Sequence, residues 1–466
     1  MIMAHRFDPT ILREYDIRGI VGTTLFAADA AALGRVFGKI VAEKGGKRVA
    51  VGYDGRLTSP ELEAALVEGL AGEGIDVVRI GRGPTPMLYF ASVTLGVDGG
   101  IMVTGSHNPP SHNGFKLVLG GKAFFGDAIQ RVGQMAAALD APAAPRGKVE
   151  DHSVFDTYVR RIAQDYDAER GLRVAWDCGN GATGEVVTSL VRQLPGEHIL
   201  INEVIDGTFP AHHPDPTIPE NLVQLQEAVA REKCDLGIGF DGDGDRIGVI
   251  DARGRILWGD QLLIVLGRDV LSRNPGAQII ADIKASQVLF DEIAKAGGKP
   301  VMMQTGHSLI KTRLAETGAP LAGEMSGHIF FNERYYGFDD AIYVAVRLLG
   351  ILGRSQQTLV DMIDALPPAY NTPEIRIDCD ESRKFAIVDE IKQRLRQKGA
   401  EMSEIDGVRV RTPEGWWLLR ASNTQAVLVV RAEATSEAGL ERLKALVEAE
   451  LAPSGVSLPA ETSHSH

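Results

Sequence analysis

The chain is 466 residues long, well past the size at which one hydrophobic core keeps growing, so three or four domains are expected, with room for a ligand cleft between them. A formal net charge of −13 with no long Lys/Arg block argues against a nucleic-acid or anionic-membrane partner, so an anionic substrate has to be met by local basic groups. The three cysteines, Cys178, Cys234 and Cys379, lie far apart with no CxxC spacing, which speaks against a disulfide framework or a zinc site and suits the reducing cytoplasm.

Residues 1–10 carry no apolar signal-peptide core, and the longest apolar runs, such as 262–266, are far too short to span a bilayer. A cytoplasmic protein outside the membrane is expected. Three segments then share one rhythm of apolar strand, helix, apolar strand, and a further strand that ends in a polar loop. In the first, a strand over 48–53 leads to a helix from about Pro60, a strand over 76–80, and a strand over 100–103 that enters TGSHNPP at 104–110. In the second, a strand over 173–176 precedes a helix near Glu185, a strand over 198–204, a helix over 222–232, and a strand over 235–240 that enters DGDGDR at 241–246. In the third, a strand over 278–283 precedes a helix near Leu289, a strand over 300–303, a helix over 309–316, and a strand over 320–322 that enters GEMSGH at 323–328.

The last part reads as α+β: a strand over 374–377, a helix over 383–397, strands near Val408, Trp416 and Val427, and a helix over 437–450. Pro and Gly clusters at 142–147, at Gly254 and at 367–368 divide the chain into domains 1–150, 151–254, 255–367 and 368–459. Residues 460–466 form a short polar tail, read as a frayed end. The fold class is therefore α/β: three related mixed-sheet domains plus a C-terminal α+β domain, expected to form a small separate lid. Ligands of open α/β sheets sit at the carboxyl ends of strands, so three corresponding polar loops point to one shared cleft.

DGDGDR sets Asp241, Asp243 and Asp245 at alternate positions, separated by glycines that permit a tight turn, so the carboxylates can converge on one hard cation such as magnesium. A calcium EF-hand is rejected, because Arg246 and Ala252 stand where Gly and Glu are required. The alternative is a solvated acidic hairpin. Gly237, Gly239 and Gly242 satisfy GxGxxG, but a strand-like pattern follows instead of a helix, so a dinucleotide site is not expected. Ser106 in TGSHNPP is either a nucleophile or an ordinary turn residue. No GxSxG elbow surrounds Ser106 or Ser326, and no P-loop occurs. RASNT at 420–424 lies between two strands, where it offers a guanidinium and hydroxyls to a phosphate or forms a plain hairpin turn. His307 and His328, taken singly, fit structural roles as well as acid/base roles.

TGSHNPP, DGDGDR, GEMSGH and RASNT, in that order and with EYDIRG at 14–19, resemble the α-D-phosphohexomutase superfamily, and within it the bacterial phosphomannomutase/phosphoglucomutase branch. The resemblance covers nearly the whole chain and implies four domains around a central cleft. It implies that Ser106 is the phosphoserine and that Asp241, Asp243 and Asp245 hold Mg²⁺ together with a phosphoserine oxygen. Glu324 and Ser326 would bind sugar hydroxyls, and Arg420, Ser422, Asn423 and Thr424 the non-reacting phosphate of a hexose phosphate. Tyr15, Arg18, Lys116, Arg246, Lys284, His307 and His328 are implied as cleft residues. Lys116, His307 and His328 all qualify as the group that takes the hydroxyl proton. The implied cycle passes through a hexose 1,6-bisphosphate, with glucose 1,6-bisphosphate as activator, and close relatives imply a monomer.

Met325 stands where a related glucosamine-phosphate branch has Gln, and residues 423–426 differ from that branch's Gly-Thr-Glu-Pro, which favours mannose and glucose. Gln425-Ala426 departs from the Thr-Pro of close relatives and is expected to loosen that loop. A phosphoglucosamine mutase, a metal-dependent sugar phosphatase and a non-catalytic sugar-phosphate sensor are the competing readings.

Overall fold

The computed structural model describes residues 4–141, 145–423 and 425–459. Its first sheet has strand Arg48–Tyr53 at the centre, parallel to Asp76–Arg82 on one side and to Gly99–Val103 on the other. Strands His112–Leu119 and Ile17–Ile20 extend it antiparallel. Val149–Asp151, which straddles the border expected at residue 150, pairs with Asp76–Arg82 and so belongs to this first sheet. Helices Ala27–Glu43 and Ser59–Gly72 cover one face so closely that a Cβ at Gly34 would lie 2.2 Å from the Leu66 carbonyl. Only glycine permits that approach.

The next two sheets repeat the plan in smaller form. Leu172–Asp177 is parallel to Gly196–Ile201 and to Leu236–Phe240, and Ile247–Asp251 returns antiparallel beside Leu236–Phe240. Gln278–Asp282 is parallel to Lys299–Met303 and Leu321–Gly323, and Ile329–Phe331 returns antiparallel beside Leu321–Gly323. Each polar motif is therefore the hairpin that joins an inner parallel strand to an antiparallel one. The strand that follows DGDGDR disposes of the dinucleotide fingerprint, since no helix opens there.

Several helices lie beyond those expected from the sequence. Gly259–Arg273 and Ala341–Arg354 are examples; the latter is buried along most of its length, with Tyr343, Arg347 and Arg354 at helical spacing on one face of an otherwise apolar run. One apolar core runs continuously from Tyr89 and Phe90 of the first domain through Trp176 to Tyr343 of the third. The C-terminal domain has a core of its own, in which helices Lys384–Gln397 and Glu437–Leu451 cover an antiparallel sheet built on Gly415–Ala421 and Val427–Ala434. A small cluster of Ile283, Trp416 and Leu418 joins it to the third domain. This division, a fused three-domain body and a separately cored fourth domain, suits a cleft with a movable side.

Candidate active site

Ser106 sits in the first hairpin with φ 48°, in the left-handed region uncommon for a non-glycine residue. Arg56 holds it there. Its buried guanidinium donates to the carbonyls of Ser106 (2.7 Å), Asn108 (2.5 Å), Pro109 (2.7 Å) and His112 (3.0 Å), beside Asp54 at 3.3 Å. Arg18 adds a bond to the Gly105 carbonyl and another to Asn108 Oδ1, both 3.0 Å, so it braces this loop. The Ser106 hydroxyl is left to donate to Asp241 Oδ2 at 3.1 Å, with His107 Nδ1 also 3.1 Å away. The first two loops touch: a Cβ on Gly242 would stand 2.4 Å from the Ser106 carbonyl.

Asp241, Asp243 and Asp245 are wholly buried, and their ligand atoms lie within 4.8 Å of one another. Asp241 Oδ1 closes the hairpin by accepting from the amides of Gly244, Asp245 and Arg246 at 3.0, 3.1 and 3.1 Å. Lys116 Nζ bridges Asp243 (2.7 Å) and Asp245. Oδ1 of Asp243 has no hydrogen-bond partner among the described residues, and Oδ1 of Asp245 meets only His328 Nε2, at 3.4 Å. Burial, with Asp245 and Asp243 alongside, pushes the Asp241 carboxyl well above its usual range. Lys116, Arg246 and His328 do not offset this for Asp241, and the unpartnered Asp243 oxygen fits an oxygen-loving divalent cation.

The third loop is locked to the second: the Ile247 amide donates to the Gly327 carbonyl at 3.1 Å. Glu324 accepts from the Gly306 amide at 2.8 Å and from His328 Nδ1 at 2.9 Å; Ser326 Oγ is 3.1 Å from the same nitrogen. His328 Nε2 lies 3.4 Å from Asp245. Burial disfavours charge on His328, but Asp245 and Glu324 outweigh it and raise its pKa to about 9. The ring is then doubly protonated at neutral pH, so the 3.3 Å approach of Arg246 Nε to Nε2 is a contact between two cations and not a hydrogen bond.

His307 stacks on His328 at 5.3 Å between centroids, yet its pKa moves down, through burial first and then the Lys311 charge, against the pull of Asp339. The two rings therefore hold different charges. Asp339 Oδ2 is 3.5 Å from His307 Nδ1 while its Oδ1 accepts from Lys311 at 2.9 Å.

Tyr15 links the body to the fourth domain. Its hydroxyl donates to the Thr305 carbonyl at 3.2 Å and accepts from Asn423 Nδ2 at 3.1 Å, and its ring lies 5.8 Å from His307. Arg420 is held by Asp406 at 2.9 Å, and Lys284 by Glu374 at 3.0 Å. Ser422 Oγ accepts from the Gln425 amide at 3.2 Å, and Thr424 lies outside the described residues. At the departure from the expected sequence, Gln425 accepts from Arg376 at 3.1 Å and from Lys384 at 3.0 Å, and the Cys379 amide donates to the Ala426 carbonyl at 3.0 Å. A chain of contacts thus runs from Ser106 through Asp241, Asp245, His328, His307 and Tyr15 to Asn423.

Sequence reasoning missed Arg56, Thr85, Asp339 and Asp406. Thr85 Oγ1 donates to Asp243 at 2.5 Å from the start of another helix. The one sequence signal was YDGR at 53–56, a polar turn at the carboxyl end of a strand, as in the other three loops.

The phosphoglucomutase/phosphomannomutase family matches domain by domain: alpha/beta/alpha domain I over residues 9–142, II over 156–254, III over 258–370, and the C-terminal domain over 374–450. The chain is 46% identical over 450 residues to the phosphomannomutase/phosphoglucomutase of Pseudomonas aeruginosa, covering 97% of each chain. It is 43% identical over 445 residues to the phosphoglucomutase of Neisseria gonorrhoeae, covering 94% of this chain and 96% of that one. Among solved structures, a phosphoglucomutase/phosphomannomutase family protein from Burkholderia thailandensis superposes with a TM-score of 0.90 at 44% identity, over 97% of this chain and all of the other.

Proposed function

This chain belongs to the phosphoglucomutase/phosphomannomutase family and is a hexose-phosphate mutase, and on that premise we propose that it interconverts the 1- and 6-phosphates of mannose and glucose through a phosphorylated Ser106. The observation that carries the reading is the Ser106 hydroxyl, 3.1 Å from Asp241 at the edge of three buried carboxylates, of which Asp243 has an oxygen unpartnered among the described residues. Asp241, Asp243 and Asp245, with an oxygen on Ser106, would hold Mg²⁺, which when bound withdraws charge from the phosphoryl oxygens.

In the first half-reaction the phosphoryl group leaves the Ser106 oxygen, which keeps the electron pair as an alkoxide and is the nucleophile of the return step, and bonds to the free sugar hydroxyl, whose proton must depart. Lys116 is engaged by Asp243 and Asp245, and His328 by Glu324 and Asp245, whereas His307, its pKa lowered, is neutral and turns Nδ1 to Asp339 Oδ2 at 3.5 Å, which leaves Nε2 as the basic nitrogen. His307 is accordingly the group that takes the proton, and Lys116 and His328 stabilise negative charge. The 1,6-bisphosphate then turns end for end, its other phosphoryl group returns to Ser106, and the proton returns to the alkoxide left on the sugar. Glucose 1,6-bisphosphate serves as activator by phosphorylating Ser106.

Arg420, Ser422 and Asn423 on the separately cored fourth domain hold the phosphate that is not reacting, in either orientation. Closing that domain excludes water, which otherwise hydrolyses the phosphoserine. Glu324 and Ser326 hold sugar hydroxyls remote from C2, which leaves glucose and mannose both acceptable.

The test is phosphorus NMR of the protein with Mg²⁺, a trace of glucose 1,6-bisphosphate, and mannose 1-phosphate or glucose 1-phosphate. Conversion of both to 6-phosphates without free phosphate is expected. Release of inorganic phosphate at a comparable rate would make the protein a sugar phosphatase instead.

A further inference from the structure

Away from the cleft, a cavity of about 540 Å³ opens along the seam between the third and fourth domains, a volume typical of small-molecule sites. Its apolar walls include Val288 and Met302 from the third domain, Pro367 and Pro368 from the connecting segment, and Pro413 from the fourth. Three carboxylates, Asp291, Glu401 and Glu433, line it against two guanidiniums, Arg409 and Arg411. Glu433 is 4% exposed; its Oε1 accepts from Trp416 Nε1 and from the Gln287 amide, both at 2.9 Å, while its Oε2 has no hydrogen-bond partner among the described residues. A buried carboxylate oxygen without a donor carries a desolvation cost that a bound N–H group removes.

We propose that this seam cavity is a binding site for a small organic cation, an ammonium or amidinium on an apolar body, which donates to Glu433 and spans both domains and their connection. The site also reaches the cleft by a short path. Arg409, which lines the cavity and stacks on Trp416 at 3.6 Å, donates to the carbonyls of Ile283 (2.6 Å) and Ala285 (2.8 Å), the two residues that flank Lys284. An occupant packed against both domains resists their relative motion and so slows turnover; this consequence, unlike the binding, rests on the mutase reading with its mobile fourth domain.

The experiment titrates benzamidine into the full chain by calorimetry, with and without saturating glucose 1-phosphate, in wild type, Glu433→Gln and the cavity-filling Val288→Trp. Saturable one-site binding that survives glucose 1-phosphate and weakens at least tenfold in both variants, or in the one that retains wild-type circular dichroism, is expected. Absence of saturable binding at millimolar benzamidine, displacement by glucose 1-phosphate, or binding unchanged in a folded variant would overturn the site. In a steady-state mutase assay, benzamidine is expected to lower kcat with little change in KM. An unchanged kcat despite proven binding would refute the link to turnover and leave the mutase reading intact, while absence of mutase activity would leave the calorimetry to decide the site alone.

Discussion

Arg56→Lys isolates the positioning of Ser106 from its chemistry. Arg56 is 2% exposed and its forked guanidinium meets four carbonyls of residues 106–112, the nearest at 2.5 Å, with Asp54 at 3.3 Å and the Phe209 ring 5.1 Å away. Lysine keeps the charge beside Asp54 but has a single nitrogen that cannot span the fork, so roughly two charge-assisted bonds are lost, at about 1.5–3 kcal/mol each. A local loss of about 3–6 kcal/mol follows. It falls on the loop whose left-handed Ser106 has no other guanidinium on its carbonyl among the described residues, and a shift of about 1 Å in a reacting atom costs on the order of 100-fold in rate. The assay is kcat with glucose 1-phosphate, measured beside circular dichroism and labelling of Ser106 by radioactive glucose 1,6-bisphosphate. A roughly 100-fold fall in kcat is expected with the far-UV spectrum retained. A variant within twofold of wild type in both kcat and labelling rate would show that the fork does not set the serine geometry.

Ser106→Ala should lose transfer and labelling together while glucose 1-phosphate still binds, and normal rates would defeat the phosphoserine route. For His307, whose pKa is depressed by burial and Lys311, the neutral form persists below pH 6.5, so the acid limb of kcat/KM should lie below that value and vanish in His307→Gln along with about 10²–10⁴ in rate. Arg420→Ala should raise KM and lower kcat together, because the guanidinium held by Asp406 serves both the substrate and the reoriented bisphosphate. Asp340, which caps helix Ala341–Arg354 through the Tyr343 amide, has its pKa raised by burial from 3.8 to about 6. The native state then binds that proton more tightly than the unfolded chain, so its contribution falls as pH rises from about 4 to 6, by about 3 kcal/mol at about 1.4 kcal/mol per unit. Asp340→Asn should flatten this part of the pH–stability curve in chemical denaturation, and an unchanged slope would refute the assignment.

The strands and polar loops were legible because each repeat places an apolar run directly before its motif, and chain order alone makes the two neighbours. DGDGDR shows the same advantage of locality: three carboxylates within five residues must share one turn wherever the domain lies. The helix Ala341–Arg354 was missed although Tyr343, Arg347 and Arg354 mark one face at helical spacing, because the residues between them are apolar runs that fit a buried strand equally well. Arg56 was hidden for another reason: its partners lie 50 to 56 positions away, and no local pattern reports a guanidinium that crosses from one strand end to another hairpin. The two histidines make the division sharpest. Sequence supplied both as candidates and could not rank them, because a histidine's charge depends on what surrounds it. Asp245 and Glu324 converge on His328 from two loops, while burial and Lys311 act on His307, and only tertiary packing decides which ring is the cation and which is free to take a proton.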